Sequence, residues 1–316
     1  MQMKSFSVKT KDGVEHWCNR WMPDSEEEIK GIIQLHHGLA EHSLRYDRFG
    51  SILAENGYVL NAYDMRGHGK TAEIAEKNGT GLFGKLADKD GFNTVVEDLN
   101  EIIAGIKEEF PGKPVILLGH SFGSFVSQAY IERYSGNING CILSGTSGPK
   151  GAIIFFGKIL VNIICALRGK NAIVPALYKI AFGNYQNRIE NPETENDWLT
   201  KDKFVVQMYN SDNWCGFPLT ASFYRDMMKG LSIIHAKKNM KKIAKNLPVY
   251  FIYGSEDPVG DYGKSIEKLY SIYEGNGMTK LSKTVYKNDR HELLNETDKE
   301  KVEADIIKWV NETLSL

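Results

Sequence analysis

The sequence has 316 residues, of which 25% are charged, and its formal net charge is −1. A chain of this length can bury a sizeable core, in one large domain or two small ones, without the help of disulfides. The balanced charge excludes the basic composition of nucleic-acid-binding proteins, so we expect a small-molecule partner and no nucleic acid.

Four cysteines are widely scattered and form no Cys-x-x-Cys pair; they are Cys18, Cys141, Cys165 and Cys215. Unpaired thiols of this kind indicate a reducing compartment. No apolar stretch of signal-peptide length follows the first six residues. We therefore expect a cytoplasmic protein. No metal-ligand spacing is present in the sequence, so we expect neither a metal nor a cofactor.

Apolar segments of strand length recur along most of the chain. The first two flank the turn Lys11-Asp12-Gly13 and predict an antiparallel hairpin. The expected strands span residues 4–8, 14–21, 29–35, 59–63, 114–118, 138–143, 248–253 and 282–286. Strands that alternate with helices predict a mostly parallel sheet of about eight strands, with helices on both of its faces.

Helical patterns fill several of the intervals between these strands. One ends at Asn56-Gly57, another covers residues 94–110, and a last amphipathic helix covers residues 299–314. A long polar loop is expected between the turn at residues 64–69 and the helix at 94–110.

The alternation of strands and helices breaks between Thr146 and about Lys229, where apolar helical pieces mix with polar loops. We interpret residues 146–229 as an inserted helical cap. It is expected to cover the carboxyl ends of the strands, where open α/β sheets bind their ligands. Residues 1–145 and 230–316 then form the core domain.

The pentapeptide Gly119-His120-Ser121-Phe122-Gly123 directly follows the expected strand at 114–118. A Gly-x-Ser-x-Gly pattern between a strand and a helix is typical of a sharp turn that exposes a nucleophilic serine. The two glycines leave room for a strained backbone, and the following helix directs its first N–H groups toward whatever binds Ser121. Ser121 is therefore the candidate nucleophile.

A serine nucleophile needs a histidine base and an acid that orients the base, each on a loop after a later strand. Asp257 lies in the turn-rich loop after the strand at 248–253, and His291 follows the last strand. We predict that Ser121, Asp257 and His291 are the catalytic residues. The rivals that we consider weaker are the acids Glu256 and Asp261 and the histidine His120, which adjoins Ser121.

Acyl transfer also needs N–H donors for the oxyanion that forms when the serine attacks. The backbone N–H of Phe122, directly after the nucleophile, is the first expected donor. The second comes from the loop after an earlier strand, in His37-Gly38-Leu39. We assign it to the N–H of Leu39 and interpret Gly38 as the space through which the substrate oxygen approaches.

Together these segments resemble the monoacylglycerol lipase and lysophospholipase branch of the serine α/β-hydrolases, which is also classed with serine aminopeptidases of the proline iminopeptidase type. The segments that carry the resemblance are residues 37–46, 64–69, 119–123, 254–259 and 290–292. The resemblance implies an α/β-hydrolase fold that cleaves carboxylic esters. It also implies that Glu41 and Arg45 help to shape the acyl side of the pocket, and that the loop from Arg66 to Gly69 is structural.

The segment from Ile153 to Leu167 is apolar on more than one face of the expected helix. Such a surface indicates an acyl tunnel or a transient contact with a membrane surface; burial in the cap's own core or in a dimer contact is the alternative. Lys158 and Asn162 interrupt the segment, which is shorter than the roughly 20 residues that span a bilayer, so we do not expect a transmembrane helix.

The leading hypothesis is hydrolysis of a carboxylic ester through an acyl-enzyme on Ser121, with a monoacylglycerol or a lysophospholipid as the substrate. The alternative enzyme is an aminopeptidase of the proline iminopeptidase type. It needs an anionic cap residue, such as Glu190, Glu193 or Glu195, to hold the substrate ammonium. A third hypothesis, of a different class, is a receptor-like hydrolase homologue that binds a ligand and turns it over slowly.

Overall fold

Eight strands form one sheet in the computed structural model, which describes residues 1–315. The strands are β1 (Gln2–Lys9), β2 (Glu15–Met22), β3 (Gly31–His36), β4 (Tyr58–Tyr63), β5 (Val115–His120), β6 (Gly140–Ser144), β7 (Val249–Gly254) and β8 (Leu281–Tyr286). Their order across the sheet is β1-β2-β4-β3-β5-β6-β7-β8. Strand β2 is antiparallel to both of its neighbours, and all pairs from β4 to β8 are parallel.

Helices cover both faces of this sheet. They are α1 (Asp47–Glu55), α2 (Gly69–Lys77), α3 (Gly91–Glu109), α4 (Phe122–Tyr134), α5 (Gly151–Arg168), α6 (Pro175–Phe182), α7 (Lys203–Ser211), α8 (Ala221–Ile234), α9 (Lys237–Met240), α10 (Lys264–Gly275) and α11 (Lys299–Leu314). One apolar layer joins the sheet to α1 and α11 and contains Leu53 and Ile306. The other joins it to α3, α4 and α10 and contains Leu99, Val126 and Leu269. The predicted fold class is therefore confirmed.

The buried central strands explain where the loops of the site meet. Every residue of β3 to β7 is buried, which is why these strands are recognisable as short apolar runs in the sequence. Because β5, β6, β7 and β8 are parallel neighbours, the loops that follow them emerge at the same edge of the sheet.

The expected polar loop after residue 69 is wrong in part, because residues 69–77 form helix α2. Among its side chains only Thr71 and Ala72 are buried; Ile74 and Ala75 are half-buried, and the other side chains are charged. So narrow a buried face leaves little hydrophobic periodicity in the sequence, and periodicity is the signal by which a helix is predicted.

Five helices, α5 to α9, lie between β6 and β7, in the region of the expected cap. The expected cap boundary at residue 229 falls inside α8, which packs against α3 and α4 of the core as well as against α5. The division into a core at 1–145 and 230–316 and a cap at 146–229 stays a prediction.

Helix α5 is unusual in its exposed apolar surface. Its Phe155, Ile163 and Leu167 are 61%, 51% and 78% exposed, whereas Ile154 and Val161 are buried. With a mean hydropathy of 1.8 over 18 residues, it is the one helix in residues 1–315 whose length and composition would allow it to cross a membrane. Its buried face packs against α8, and the expectation that it does not span a bilayer stays a prediction.

Candidate active site

Ser121 occupies the sharp turn between β5 and α4. Its backbone has φ +52° and ψ −120°, a conformation that costs about 1–3 kcal/mol for a residue with a side chain. The flanking glycines are required by close approach: a Cβ on Gly123 would collide with the carbonyl oxygens of His36 and His37, and one on Gly119 with Ser127 Oγ. The turn holds the Ser121 side chain beside the N-terminus of α4, whose partial positive charge favours an anion.

His291 and Asp257 meet on the loops that follow β8 and β7. His291 Nδ1 lies 2.9 Å from Asp257 Oδ2, and both side chains are buried. The other carboxylate oxygen, Oδ1, accepts the N–H of Val259 at 2.8 Å, which fixes the orientation of the carboxylate. With Nδ1 donating to Asp257, the neutral His291 ring has its lone pair on Nε2, which is the form that accepts a proton.

Burial and charge act in opposite directions on the pKa of His291. Burial on its own lowers it, but the carboxylate of Asp257, with further contributions from Glu292 and Glu41, raises the pKa above its ordinary value of 6.5. The indole of Trp198 lies 5.0 Å from the His291 ring between centroids and covers it from the side of the expected cap. Trp198 is a neighbour that sequence reasoning missed, because no motif surrounds it.

The rival residues occupy other surroundings. Asp261 is exposed, and Glu256 is half-buried and accepts a bond from Ser255. The ring of His120 lies 4.8 Å from the His291 ring, and burial lowers the pKa of His120 to about 4. Within residues 1–315, Asp257 is the carboxylate that hydrogen-bonds to His291.

Two backbone N–H groups beside Ser121 have no acceptor among the described residues, namely those of Leu39 and Phe122. The N–H of Gly38, in contrast, donates to the carboxylate of Glu41. This arrangement occupies the donor of Gly38 and leaves that of Leu39 available. The assignment of Leu39 and Phe122 as oxyanion donors remains a prediction that this geometry supports.

A buried ionic network joins the loop of Gly38 to the loop of His291. Arg45 donates to both oxygens of Glu292, at 2.7 and 2.6 Å, and to Glu41 at 2.6 Å. Burial on its own would raise the pKa of Glu292, but the Arg45 guanidinium lowers it to about 2. Glu292 directly follows His291 in the sequence, yet no local pattern indicates that its partner is Arg45.

A cavity of about 760 Å³ opens over Ser121 and His291. The predicted donors Leu39 and Phe122 belong to its wall, which is mostly apolar. Apolar side chains from the core and from α5, α6 and α8 form that wall: Phe125, Ile154, Phe156, Leu160, Val161, Leu177, Tyr224, Met227, Met228 and Leu231. The dimensions and the lining are those of a site for a small, largely apolar molecule.

The acidic residues that an aminopeptidase would need lie elsewhere. Glu190, Glu193 and Glu195 are exposed and do not line the cavity. The carboxylates that do line it, Glu41 and Glu292, are both bonded to Arg45. No free carboxylate of the cavity wall in residues 1–315 is therefore placed to hold a substrate ammonium.

The strand order, the position of the cavity at the carboxyl edge of the sheet and the strained serine turn together define an α/β-hydrolase. The family model described as "Serine aminopeptidase, S33" matches residues 27–298. Since this match covers most of the chain, the protein belongs to that family, as the resemblance implies.

The relatives support the same conclusion. The chain is 25% identical to a monoacylglycerol lipase of Mycolicibacterium smegmatis over 304 residues, covering 94% of this chain and 93% of that protein. It is 26% identical to the human monoglyceride lipase over 278 residues, covering 84% and 80%. The crystal structure of a thermostable carboxyl esterase from Bacillus coagulans in complex with glycerol superposes with a TM-score of 0.89, at 28% identity and 99% coverage of both chains. These names favour the predicted ester-cleaving serine hydrolase over both alternatives.

Proposed function

We propose that this protein hydrolyses carboxylic esters through an acyl-enzyme on Ser121. The observation that carries the proposal is that Ser121 and His291, which is hydrogen-bonded to Asp257, line one cavity whose wall is mostly apolar. His291 takes the Ser121 proton as the hydroxyl attacks the ester carbonyl, and then gives it to the leaving alcohol. Asp257 holds the ring in the tautomer with the lone pair on Nε2 and stabilises the imidazolium.

The oxyanion of the tetrahedral intermediate is stabilised by the N–H groups of Leu39 and Phe122 in this proposal. Both are backbone donors held by the fold, so they need no rearrangement when the charge develops, and each such donor contributes about 3–4 kcal/mol in comparable enzymes. Water then attacks the acyl group, with His291 acting as its base, and the fatty acid leaves.

The substrate that we propose is a monoacylglycerol or a lysophospholipid. A single acyl chain matches a cavity with a mostly apolar wall, with the ester at Ser121 and the polar head group near Glu41, Glu292 and Tyr209. The monoacylglycerol-cleaving relatives and the glycerol bound to the Bacillus esterase support this choice.

We also propose that the outer face of α5 makes transient contact with a membrane surface. Its inner face lines the cavity through Ile154, Leu160 and Val161. Its outer face exposes Phe155, Ile163 and Leu167. An apolar helix in this position would bring the entrance of the cavity to the layer in which single-chain lipids are dissolved.

The four cysteines are free in the structure, which supports the cytoplasmic location that we propose.

The variant Ser121→Ala tests the reaction. We expect it to lose ester hydrolysis by at least about a thousandfold and to lose labelling by a fluorophosphonate, because the attacking oxygen is gone. The control Ser51→Ala, on α1 and remote from the cavity, keeps both properties. Circular dichroism confirms that each variant is folded. Undiminished ester hydrolysis by folded Ser121→Ala would overturn the proposal.

A substrate panel tests the acyl donor with the unmodified enzyme. Monooleoylglycerol, lysophosphatidylcholine, a p-nitrophenyl ester and an aminoacyl naphthylamide are compared by kcat/KM in one buffer. We expect the glycerol or phospholipid esters to be preferred over the naphthylamide. The mostly apolar wall of the cavity accommodates an acyl chain better than it accommodates an ammonium group. A preference for the naphthylamide would show that the proposed substrate class is wrong.

A further inference from the structure

Three side chains with metal-binding atoms meet beside the loop that carries Leu39. They are His42, which follows β3, and Asp212 and Cys215, which follow α7. One ring nitrogen of His42, one carboxylate oxygen of Asp212 and Cys215 Sγ all lie within 4.8 Å of one another. His42 and Asp212 are 170 residues apart, so no sequence motif could indicate the cluster.

Hydrogen bonds already join His42 to Asp212 and Asp212 to the following turn. His42 Nε2 lies 2.8 Å from Asp212 Oδ2, and Asp212 Oδ1 accepts the N–H of Trp214 at 2.8 Å. His42 Nδ1 is buried with no hydrogen-bond partner among residues 1–315. Nε2 is the ring nitrogen that faces Asp212, so it is the atom that an ion shared with this carboxylate would bind. The ring proton would then reside on Nδ1, and two metal bonds would replace the hydrogen bond between His42 and Asp212.

We propose that His42, Asp212 and Cys215 bind a divalent metal ion of the zinc class. One imidazole nitrogen, one carboxylate oxygen and one thiolate form a mixed donor set that suits Zn²⁺, with a water molecule completing a tetrahedron. Cys215 gives up its thiol proton to solvent as the Sγ–metal bond forms. The two anionic ligands then balance the charge of the ion. The Asp212 side chain is 35% exposed and provides the path of entry.

Such an ion would fasten two segments beside the cavity. His42 belongs to the segment that carries Leu39 and Ala40, and Ala40 has the unusual φ of +49°. The carbonyl of Ala40 already accepts the N–H of Gly216 at 2.9 Å and the hydroxyl of Tyr209 at 3.0 Å. A metal bound to His42, Asp212 and Cys215 would replace the existing hydrogen bond between His42 and Asp212 by metal bonds between the same segments. It should therefore stiffen residues 38–42 without itself touching Ser121.

Titration of the full-length protein with Co²⁺ alone tests the proposal, because a cobalt–thiolate bond has its own near-ultraviolet absorption band. We expect one equivalent to give this band in the native protein and in the control Cys165→Ser, which removes a half-exposed thiol elsewhere. Cys215→Ser should lose the band. Zn²⁺ should abolish the cobalt spectrum by displacement and should raise the Tm of the native protein.

The variant Asp212→Asn guards against a folding defect in Cys215→Ser, since its side chain lies partly at the surface. We expect it to stay folded and to bind Co²⁺ at least about tenfold more weakly. Absence of a cobalt–thiolate band in the native protein would overturn the proposal. So would a band that persists in folded Cys215→Ser, because the thiol would then belong to another residue.

Discussion

The hydrogen bond between Asp257 and His291 is the contact on which the proposed chemistry depends. We predict that Asp257→Asn lowers kcat for a soluble ester by about 10⁴-fold, because an amide at this position stabilises the wrong tautomer of the ring. The acid limb of kcat/KM should also move to lower pH. In the native enzyme we expect the midpoint of this limb above the ordinary histidine pKa of 6.5, since the carboxylates raise the pKa of His291. Below that pKa the base is protonated and catalysis stops.

Asp261→Asn is the matched control for this variant. It removes a carboxylate from the same loop at an exposed position that does not contact His291, so both kcat and the acid limb should stay near those of the native enzyme. A pH–rate profile of each variant tests this prediction, and circular dichroism shows whether each variant is folded. If Asp257→Asn kept the native kcat while Asp261→Asn lost it, the acid would have been assigned to the wrong residue.

Single residues could be predicted where the scaffold fixes their place relative to a strand. Ser121, Asp257 and His291 each follow a recognisable strand, and the last two meet as expected. The partner of Glu292 could not be predicted, because Arg45 lies 247 residues away in the sequence and any of several arginines would satisfy the local pattern. The resemblance places Arg45 at the pocket, but the structure places it behind Glu41 and Glu292, outside the cavity wall.

At the scale of elements, Arg45 joins the segment after β3 to the segment after β8. We predict that Arg45→Met destabilises the protein by about 3–5 kcal/mol, because Glu41 and Glu292 would remain buried without their countercharge. Urea unfolding measures this loss. Arg133→Met is the control: its ion pair with Glu97 lies at the surface, so it should cost less than about 1 kcal/mol. Equal effects of the two variants would show that the buried network does not hold the loops together.

The outer face of α5 leads to a second prediction about an element. Replacing Phe155, Ile163 and Leu167 by serine removes apolar side chains that do not line the cavity. We predict that binding to phosphatidylcholine vesicles falls by at least about tenfold, since each such side chain contributes roughly 1.5–3 kcal/mol when fully buried. Activity on a soluble p-nitrophenyl ester should be retained.

A pair of substitutions on another helix controls for the loss of exposed apolar surface. Phe204→Ser and Met208→Ser lie on α7, where both side chains are also more than half exposed. Vesicle binding, measured by co-sedimentation, should stay at the native level in this control. If the α5 variant also bound vesicles at the native level, the proposed membrane contact would be wrong.

Elements were predictable where their buried face is wide. Helix α11 matches the expected 299–314, and the central strands match to within about two residues because both of their faces are buried. Helix α2 could not be predicted, because only a narrow stripe of its surface contacts the core. The orientation of the helices over the cavity is still harder to predict. Helix α5 is apolar both on the side that faces the cavity and on the side that faces solvent, so its hydrophobic pattern does not distinguish the two sides.

At the scale of the whole molecule, Glu132 on α4 links stability to pH. It is buried, one of its carboxylate oxygens has no hydrogen-bond partner in the described residues, and burial raises its pKa to about 9. In the unfolded chain a glutamate titrates near 4.3. Between these two values the folded protein retains a proton that the unfolded chain has lost, so the contribution of Glu132 to the free energy of unfolding falls as pH rises.

Glu132→Gln isolates this contribution, because glutamine has nearly the same shape and does not titrate. We predict that the free energy of unfolding of the variant, minus that of the native protein, increases between pH 5 and pH 9, by at most about 1.4 kcal/mol per pH unit. Urea unfolding of both proteins at pH 5, 7 and 9 measures it, and groups common to both cancel in the difference. Glu55→Gln, exposed on α1, removes a charge from the surface instead and reports the effect of net charge alone. A difference for Glu132→Gln that stays constant with pH would mean that Glu132 titrates alike in the folded and unfolded states.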